Sequence, residues 1–233
     1  MSDPVSQRVV VTGSSAGIGR AIAASLLDAG WRVTGLDVSA PSIDHPAFEH
    51  LRVDLTDGAD IGRVLPRLLD AQALVHAAGV LRVGALGALD AAGGELMWRL
   101  HVDAATRLAD AMVPAMASRG QGRVVFIGSR VAQGMPGRGQ YAATKAALQA
   151  LSRSWAAEVA SQGVTINVVS PAATQTAMLQ DPARAGSAPR LPPIGRLIQP
   201  EEIAALVGYL LSTQAAAITG QDIAICGGSS LPR

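Results

Sequence analysis

Two kinds of hydrophobic pattern alternate along the chain. Short, nearly uninterrupted apolar runs lie at 8–12, 32–36, 51–55, 73–79, 123–129, 164–169 and 222–226. A strand covered on both faces has no polar side, so such runs predict the strands of a buried parallel sheet. Between them apolar residues recur every three or four positions, predicting helices over 20–29, 61–69, 95–116, 140–160 and 200–211. The third of these reads as one long helix through Leu96, Leu100, Val102, Leu108, Met112 and Met116. The last opens with Pro200, Glu201 and Glu202, a proline in the first turn and acids near the positive end of the helix dipole. Residues 38–46, with prolines at 41 and 46, predict a loop with no room for more than a turn of helix. Residues 174–199, rich in Pro, Ala and Arg, have no period and resemble a mobile lid. Strict alternation of strand and helix predicts a single α/β domain over 1–233: a Rossmann-type, doubly wound parallel sheet of seven strands with helices on both faces.

Composition narrows the partners. With 49% hydrophobic and 16% charged residues, a chain of 233 residues can bury a sizeable core. A net charge of +1 without basic runs offers nothing to nucleic acid or to an anionic membrane. The one cysteine, Cys226, excludes an intrachain disulfide and argues against a cysteine metal site, so no metal is expected. The start Met1-Ser2-Asp3-Pro4 does not read as a signal peptide, and no apolar stretch is long enough to span a bilayer; a soluble, cytoplasmic protein is expected.

The chain is organised around its first strand and the turn Gly13-Ser14-Ser15-Ala16-Gly17-Ile18-Gly19. Gly13 permits a sharp exit from the strand, Gly17 lets a phosphate approach bare backbone, and Gly19 lets the helix sit close on the sheet. The helix that follows would aim its free amides at a pyrophosphate. Asp37, at the end of the second strand, stands where an acid would accept hydrogen bonds from the adenosine ribose. Asp54 could accept from an adenine amino group or cap the next helix. The small residues Ala77, Ala78 and Gly79 would let a flat ring pass close to the chain.

In open parallel sheets ligands lie beyond the carboxyl ends of the strands. Ser129 ends the fifth strand, and Tyr141 and Lys145, four apart, project from one face of the next helix. A fixed ammonium at ~4 Å favours a phenolate by roughly 1–4 kcal/mol, so Tyr141 could exchange a proton with a substrate hydroxyl or carbonyl while Ser129 holds that oxygen. Taken singly, a serine at a strand end is more often a cap, and a Tyr-x-x-x-Lys an amphipathic surface pair. It is their order and spacing after the nucleotide turn that points to chemistry.

Together these residues resemble the single-domain short-chain dehydrogenases/reductases. The resemblance covers essentially the whole chain and rests on Thr12-Gly13-x-x-x-Gly17-Ile18-Gly19, Asp54, Ala78-Gly79, Ser129, Tyr141-Ala142-Ala143-Thr144-Lys145, Asn167-Val168-Val169-Ser170-Pro171 and Gly227-Gly228. It implies that Tyr141 is the proton donor or acceptor, Ser129 positions the substrate oxygen, and Lys145 holds the nicotinamide ribose. Cofactor contacts would also come from Ser14, Ser15, Ile18, Leu55, Ala77, Pro171, Ala172, Thr174 and Thr176. It further implies hydride transfer to or from a small-molecule secondary alcohol or ketone, and a homotetramer or homodimer built on the two long helices.

The charge of Asp37 would repel a 2′-phosphate, and neither the turn nor Val38 supplies a cation to bind one, so NAD is expected over NADP. The chain departs from the family at Ala77, at Ala172 and in a Ser129–Tyr141 spacing one residue shorter than usual. His101 occupies the place of the usual catalytic asparagine, whose family role is largely a backbone carbonyl holding a water against the lysine; His101 could supply that carbonyl, enter the proton relay or pack as a hydrogen-bonded residue. A narrower resemblance, to 2,3-dihydro-2,3-dihydroxybenzoate dehydrogenases, lies in Val33–Asp37 and Ala77–Gly84. Arg82 and Arg130 are expected near the pocket mouth, as partners for a substrate carboxylate or as rim arginines. Competing readings are a 3-oxoacyl-carrier-protein reductase using NADPH and a nucleotide-sensing or scaffold protein without catalysis.

Overall fold

The computed structural model describes residues 7–180 and 191–231. Its strands are β1 (Arg8–Thr12), β2 (Arg32–Asp37), β3 (Phe48–Arg52), β4 (Ala73–His76), β5 (Gly122–Ile127), β6 (Val164–Pro171) and β7 (Asp222–Ile225). The α-helices are α1 (Gly17–Asp28), α2 (Gly58–Val64), α3 (Ala91–Trp98), α4 (Ala104–Ser118), α5 (Gly139–Val159) and α6 (Pro200–Leu211). Every neighbouring pair of strands is parallel, in the order β3-β2-β1-β4-β5-β6-β7. The direction of winding reverses between β1 and β4, which opens a crevice at their carboxyl ends.

Alternation along β1 explains the layers. Val9 and Val11 face α1 and α6, in a core with Ile22, Leu26, Ile203 and Val207. Val10 faces the opposite way, into a core with Leu108 and Met112 of α4 and Leu148 of α5. Successive side chains of a strand point to opposite faces, so an apolar run without a polar side requires a helix layer on each. Asn167 ties β6 to the approach to β7, donating to the Ile218 carbonyl at 2.7 Å and accepting the Gln221 amide at 3.0 Å.

Several element boundaries differ from the sequence reading. The third strand runs over Phe48–Arg52, so Asp54 and Leu55 lie beyond the sheet. As an edge strand it tolerates the polar Glu49 and His50, which an apolar run does not predict. The fourth and fifth strands stop at His76 and Ile127, so Ala77–Gly79 and Ser129 stand on the loops that leave them. The second helix begins earlier, is capped by Asp57 and gives way to a 3-10 turn at Leu65–Arg67. The long helix expected over 95–116 is three pieces, α3 and α4 being separated by a π turn at Arg99–Asp103. One extra residue in one turn leaves the surrounding three-four spacing intact, so periodicity cannot reveal it. The stretch 38–46 has no helix. Of the expected lid, Thr174 bridges to Ile198 and Ala177–Gln180 form a 3-10 turn, while 181–190, with Arg184 and Arg190, lie outside the described residues. Among the described residues no helix is long and apolar enough to cross a membrane, and no cluster could hold a metal ion.

Candidate active site

A cleft of about 1090 Å³ lies over the switch point. Gly13 leaves β1 at φ +69°, and a Cβ there would stand 2.9 Å from the Ala78 backbone. Gly17 follows at φ +53°. Ala16 precedes α1 without a side-chain cap, and the first turn of α1 carries no acid. The opening amides are therefore left to an anion, as a pyrophosphate site requires. Asp37 lines the same cleft, its carboxylate fixed by amides from both sides: Oδ2 accepts from Ser15 at 3.0 Å and Oδ1 from Ser39 at 2.9 Å. Each oxygen keeps a further lone pair for a ribose hydroxyl. These features fit a dinucleotide.

The same cleft is lined by Ser129, Tyr141 and Lys145, and a Cβ on Gly79 would stand 3.7 Å from Lys145 Nζ. The Ser129 Oγ accepts the Val131 amide at 3.1 Å, so it caps the following 3-10 turn and still has its hydroxyl hydrogen to give. Lys145 is buried, its Nζ donating to the Ile127 carbonyl at 2.8 Å and lying 5.8 Å from the centre of the Tyr141 ring. Burial pushes the Lys145 ammonium down to about 7.

His101 is fully buried in the π turn, and its ring meets that of Tyr141 edge-on at 5.7 Å. Both its nitrogens are engaged: Nε2 accepts the Val80 amide at 3.0 Å and Nδ1 pairs with Thr144 Oγ1 at 2.8 Å. Burial first, then the nearby Lys145 charge, holds its pKa well below the usual histidine value. These contacts favour the packed, hydrogen-bonded alternative over the proton relay. A second buried histidine, His76, went unnoticed in the sequence because it sits inside a strand run. It pairs with Thr12 Oγ1 at 3.0 Å and with the Leu100 carbonyl at 3.1 Å.

Gly13, Gly17, Ile18, Gly19, Asp37, Asp54, Leu55, Ala77, Ala78, Gly79, Pro171, Ala172, Thr174 and Thr176 line the cleft. The Thr176 methyl rests 3.4 Å from where a Cβ on Gly17 would be, so the start of the expected lid packs on the phosphate turn. Ser14 and Ser15 belong to the turn but do not line the cleft: Ser14 is buried against Gly35, and Ser15 uses its amide on Asp37. Asp54 does not cap α2; its Oδ1 accepts from the amide and hydroxyl of Thr56. Arg82 is not among the lining residues, and its guanidinium donates to the Leu81 carbonyl at 3.0 Å. Arg196 is held by Glu202 in a two-point ion pair at 2.7 and 2.8 Å.

Sequence reasoning did not assign Leu81, Leu96, Met135, Arg138, Met178 and Leu179, which also line the cleft. The expected lid at 174–199 contains Met178 and Leu179, but its composition does not say which of its side chains reach the cleft, and Leu96 and Met135 carried no signal.

A family model described as enoyl-(acyl carrier protein) reductase matches residues 13–230. The 3-oxoacyl-(acyl-carrier-protein) reductase FabG of Escherichia coli (strain K12) is 37% identical over 94% of this chain and 95% of its own. The 2,3-dihydro-2,3-dihydroxybenzoate dehydrogenase of the same strain is 35% identical over 97% of each chain. A solved structure described as a short chain dehydrogenase/reductase family protein aligns with a TM-score of 0.88 at 33% identity, covering 95% of this chain and 96% of that one. With the nucleotide turn and the Ser129, Tyr141 and Lys145 constellation in one cleft, the chain belongs to the short-chain dehydrogenase/reductase family, oxidoreductases that act on CH–OH or keto groups with NAD(P).

Proposed function

We propose that this protein is an NAD-dependent oxidoreductase interconverting a secondary alcohol and its ketone in a small molecule. The observation that carries this reading is the convergence of Ser129, Tyr141, Lys145 and the glycine turn on one cleft. Tyr141 exchanges a proton with the substrate oxygen, and Ser129 donates its hydroxyl hydrogen to the same oxygen. Lys145 supplies positive charge beside the phenol and holds the nicotinamide ribose. The bound cofactor supplies hydride exchange with the substrate carbon.

Asp37 supports NAD over NADP. Its fixed carboxylate suits two ribose hydroxyls and repels a 2′-phosphate. Arg130 supports an anionic substrate. It lines the cleft next to Ser129, is half-buried and has no ion-pair partner among the described residues. A cation there fits a small hydroxy or oxo acid, a class that includes the substrate named for the relative at 35% identity. The relative at 37% identity favours a second reading, a 3-oxoacyl-carrier-protein reductase using NADPH. An oligomer formed through α4 and α5 is part of the proposal, supported by the exposed alanines 143, 150 and 157 along one side of α5.

The test is an NAD-coupled assay on secondary alcohols with and without a carboxylate, comparing wild type with Tyr141→Phe. Turnover should fall about 100-fold or more in the variant; equal, measurable rates would remove Tyr141 from the chemistry, and no turnover by the wild type would favour a silent nucleotide-binding protein. Calorimetric titration should find NADH bound more tightly than NADPH, and the reverse order would favour the carrier-protein reductase.

A further inference from the structure

The two buried histidines share one feature that packing alone does not require: every ring nitrogen has a hydrogen-bond partner, and the partners fix which nitrogen carries the proton. Thr12 Oγ1 accepts the amides of Ala77 and Ala78, each at 3.0 Å. Its single hydroxyl hydrogen must then go to His76 Nδ1. His76 is therefore protonated at Nε2, which donates to the Leu100 carbonyl. In the next residue of the π turn, His101 Nε2 accepts the Val80 amide, so its proton is on Nδ1 and goes to Thr144 Oγ1. Thr144 in turn donates to the Tyr141 carbonyl at 2.8 Å.

The result is one directed path. It starts at Thr12, beside the first glycine of the phosphate turn, crosses the π turn through both imidazoles and ends on the backbone of Tyr141. On the way it holds the amides of Ala77, Ala78 and Val80, in a loop that lines the cleft. Each histidine spans two elements that no backbone ladder joins: β1 to the π turn, and the loop after β4 to α5. Buried networks of this kind are rigid only when every member is satisfied, and here each imidazole nitrogen is.

We propose that His76 and His101 are a positioning pair, each locked in one neutral tautomer, that sets the distance and angle between the cleft-lining loop 77–80 and Tyr141. The proposal deepens the dehydrogenase reading and rests on it for its kinetic consequence. Neither histidine lines the cleft. Their effect runs through Tyr141 and the loop, where a misplacement of about 1 Å lowers turnover about 100-fold.

The test has a spectroscopic and a kinetic arm. Nitrogen-15 NMR of histidine-labelled wild type should find His76 protonated at Nε2 and His101 at Nδ1, the less common tautomer of the neutral histidine side chain in water; the opposite assignment at either residue overturns the proposal. His101→Phe keeps the ring against Tyr141 but loses both hydrogen bonds. It should lower kcat about 100-fold with KM and NADH affinity within a few-fold of wild type. An unchanged kcat would make the ring mere packing and overturn the proposal. Thr144→Val should lower kcat similarly, and combining it with His101→Phe should add little, because both cut the same path. If a variant fails to fold, the wild-type tautomers still decide. If wild type turns over no alcohol or ketone while both tautomers are as assigned, the catalytic reading fails and the structural lock stands.

Discussion

At the scale of single residues, the buried groups set a pH dependence. Burial, and then the Lys145 charge, pushes His76 down to about 3, and His101 shifts in the same direction. The unfolded chain binds protons near the ordinary histidine value of ~6.5, whereas the folded chain does not. Between about pH 6.5 and pH 3 the unfolded state therefore holds more protons at His76, and stability falls as pH falls, by up to about 1.4 kcal/mol per pH unit from that residue, with His101 acting in the same direction. The stabilisation is fully present above pH 6.5. Urea unfolding followed from pH 7.5 to 4.5 should find a shallower loss in His76→Asn than in wild type. A slope at least as steep in the variant would mean that other groups carry the acid sensitivity. Legibility at this scale was uneven. Ser129, Tyr141 and Lys145 stood out because their spacing has a chemical meaning, but His76 did not, because its partners are 64 and 24 residues away.

At the scale of elements, the site depends on how closely α1 and the loop after β4 approach the end of β1. Gly13 is the contact point: its φ of +69° and the 2.9 Å from its Cβ position to the Ala78 backbone leave no room for a side chain. Gly13→Ala should destabilise the fold by roughly 1–3 kcal/mol and weaken NADH binding. Thermal unfolding and fluorescence titration would read both, and wild-type values for both would mean that the turn yields more easily than its contacts suggest. The helices themselves were legible from periodicity. The π turn was not, since it arises where Leu100 and His101 are pulled onto β4 and its loop by hydrogen bonds. The second helix moved for a related reason: Asp57, rather than Asp54, found the open amide of Ala59.

At the scale of the whole molecule, the three-layer arrangement follows from strands covered on both faces. What the layers leave outside is the small-residue side of α5, with Ala143, Ala150 and Ala157 exposed. If two copies meet there, a charge would be buried without a partner. Ala150→Glu should therefore give monomers in sedimentation without altering the circular dichroism, whereas an unchanged sedimentation coefficient would move the interface elsewhere.

The amino-acid sequence by itself determined the alternation of strand and helix, the parallel sheet and the residue types at the carboxyl ends of its strands. Such properties depend on local periodicity, and on glycines and acids within one supersecondary unit. Only the tertiary structure decided which side chains share the cleft, that Arg130 lines it while Arg82 does not, and that two imidazoles link the phosphate turn to Tyr141. Those choices depend on the packing of residues far apart in the chain, where burial and hydrogen-bond direction are properties of the fold rather than of any segment.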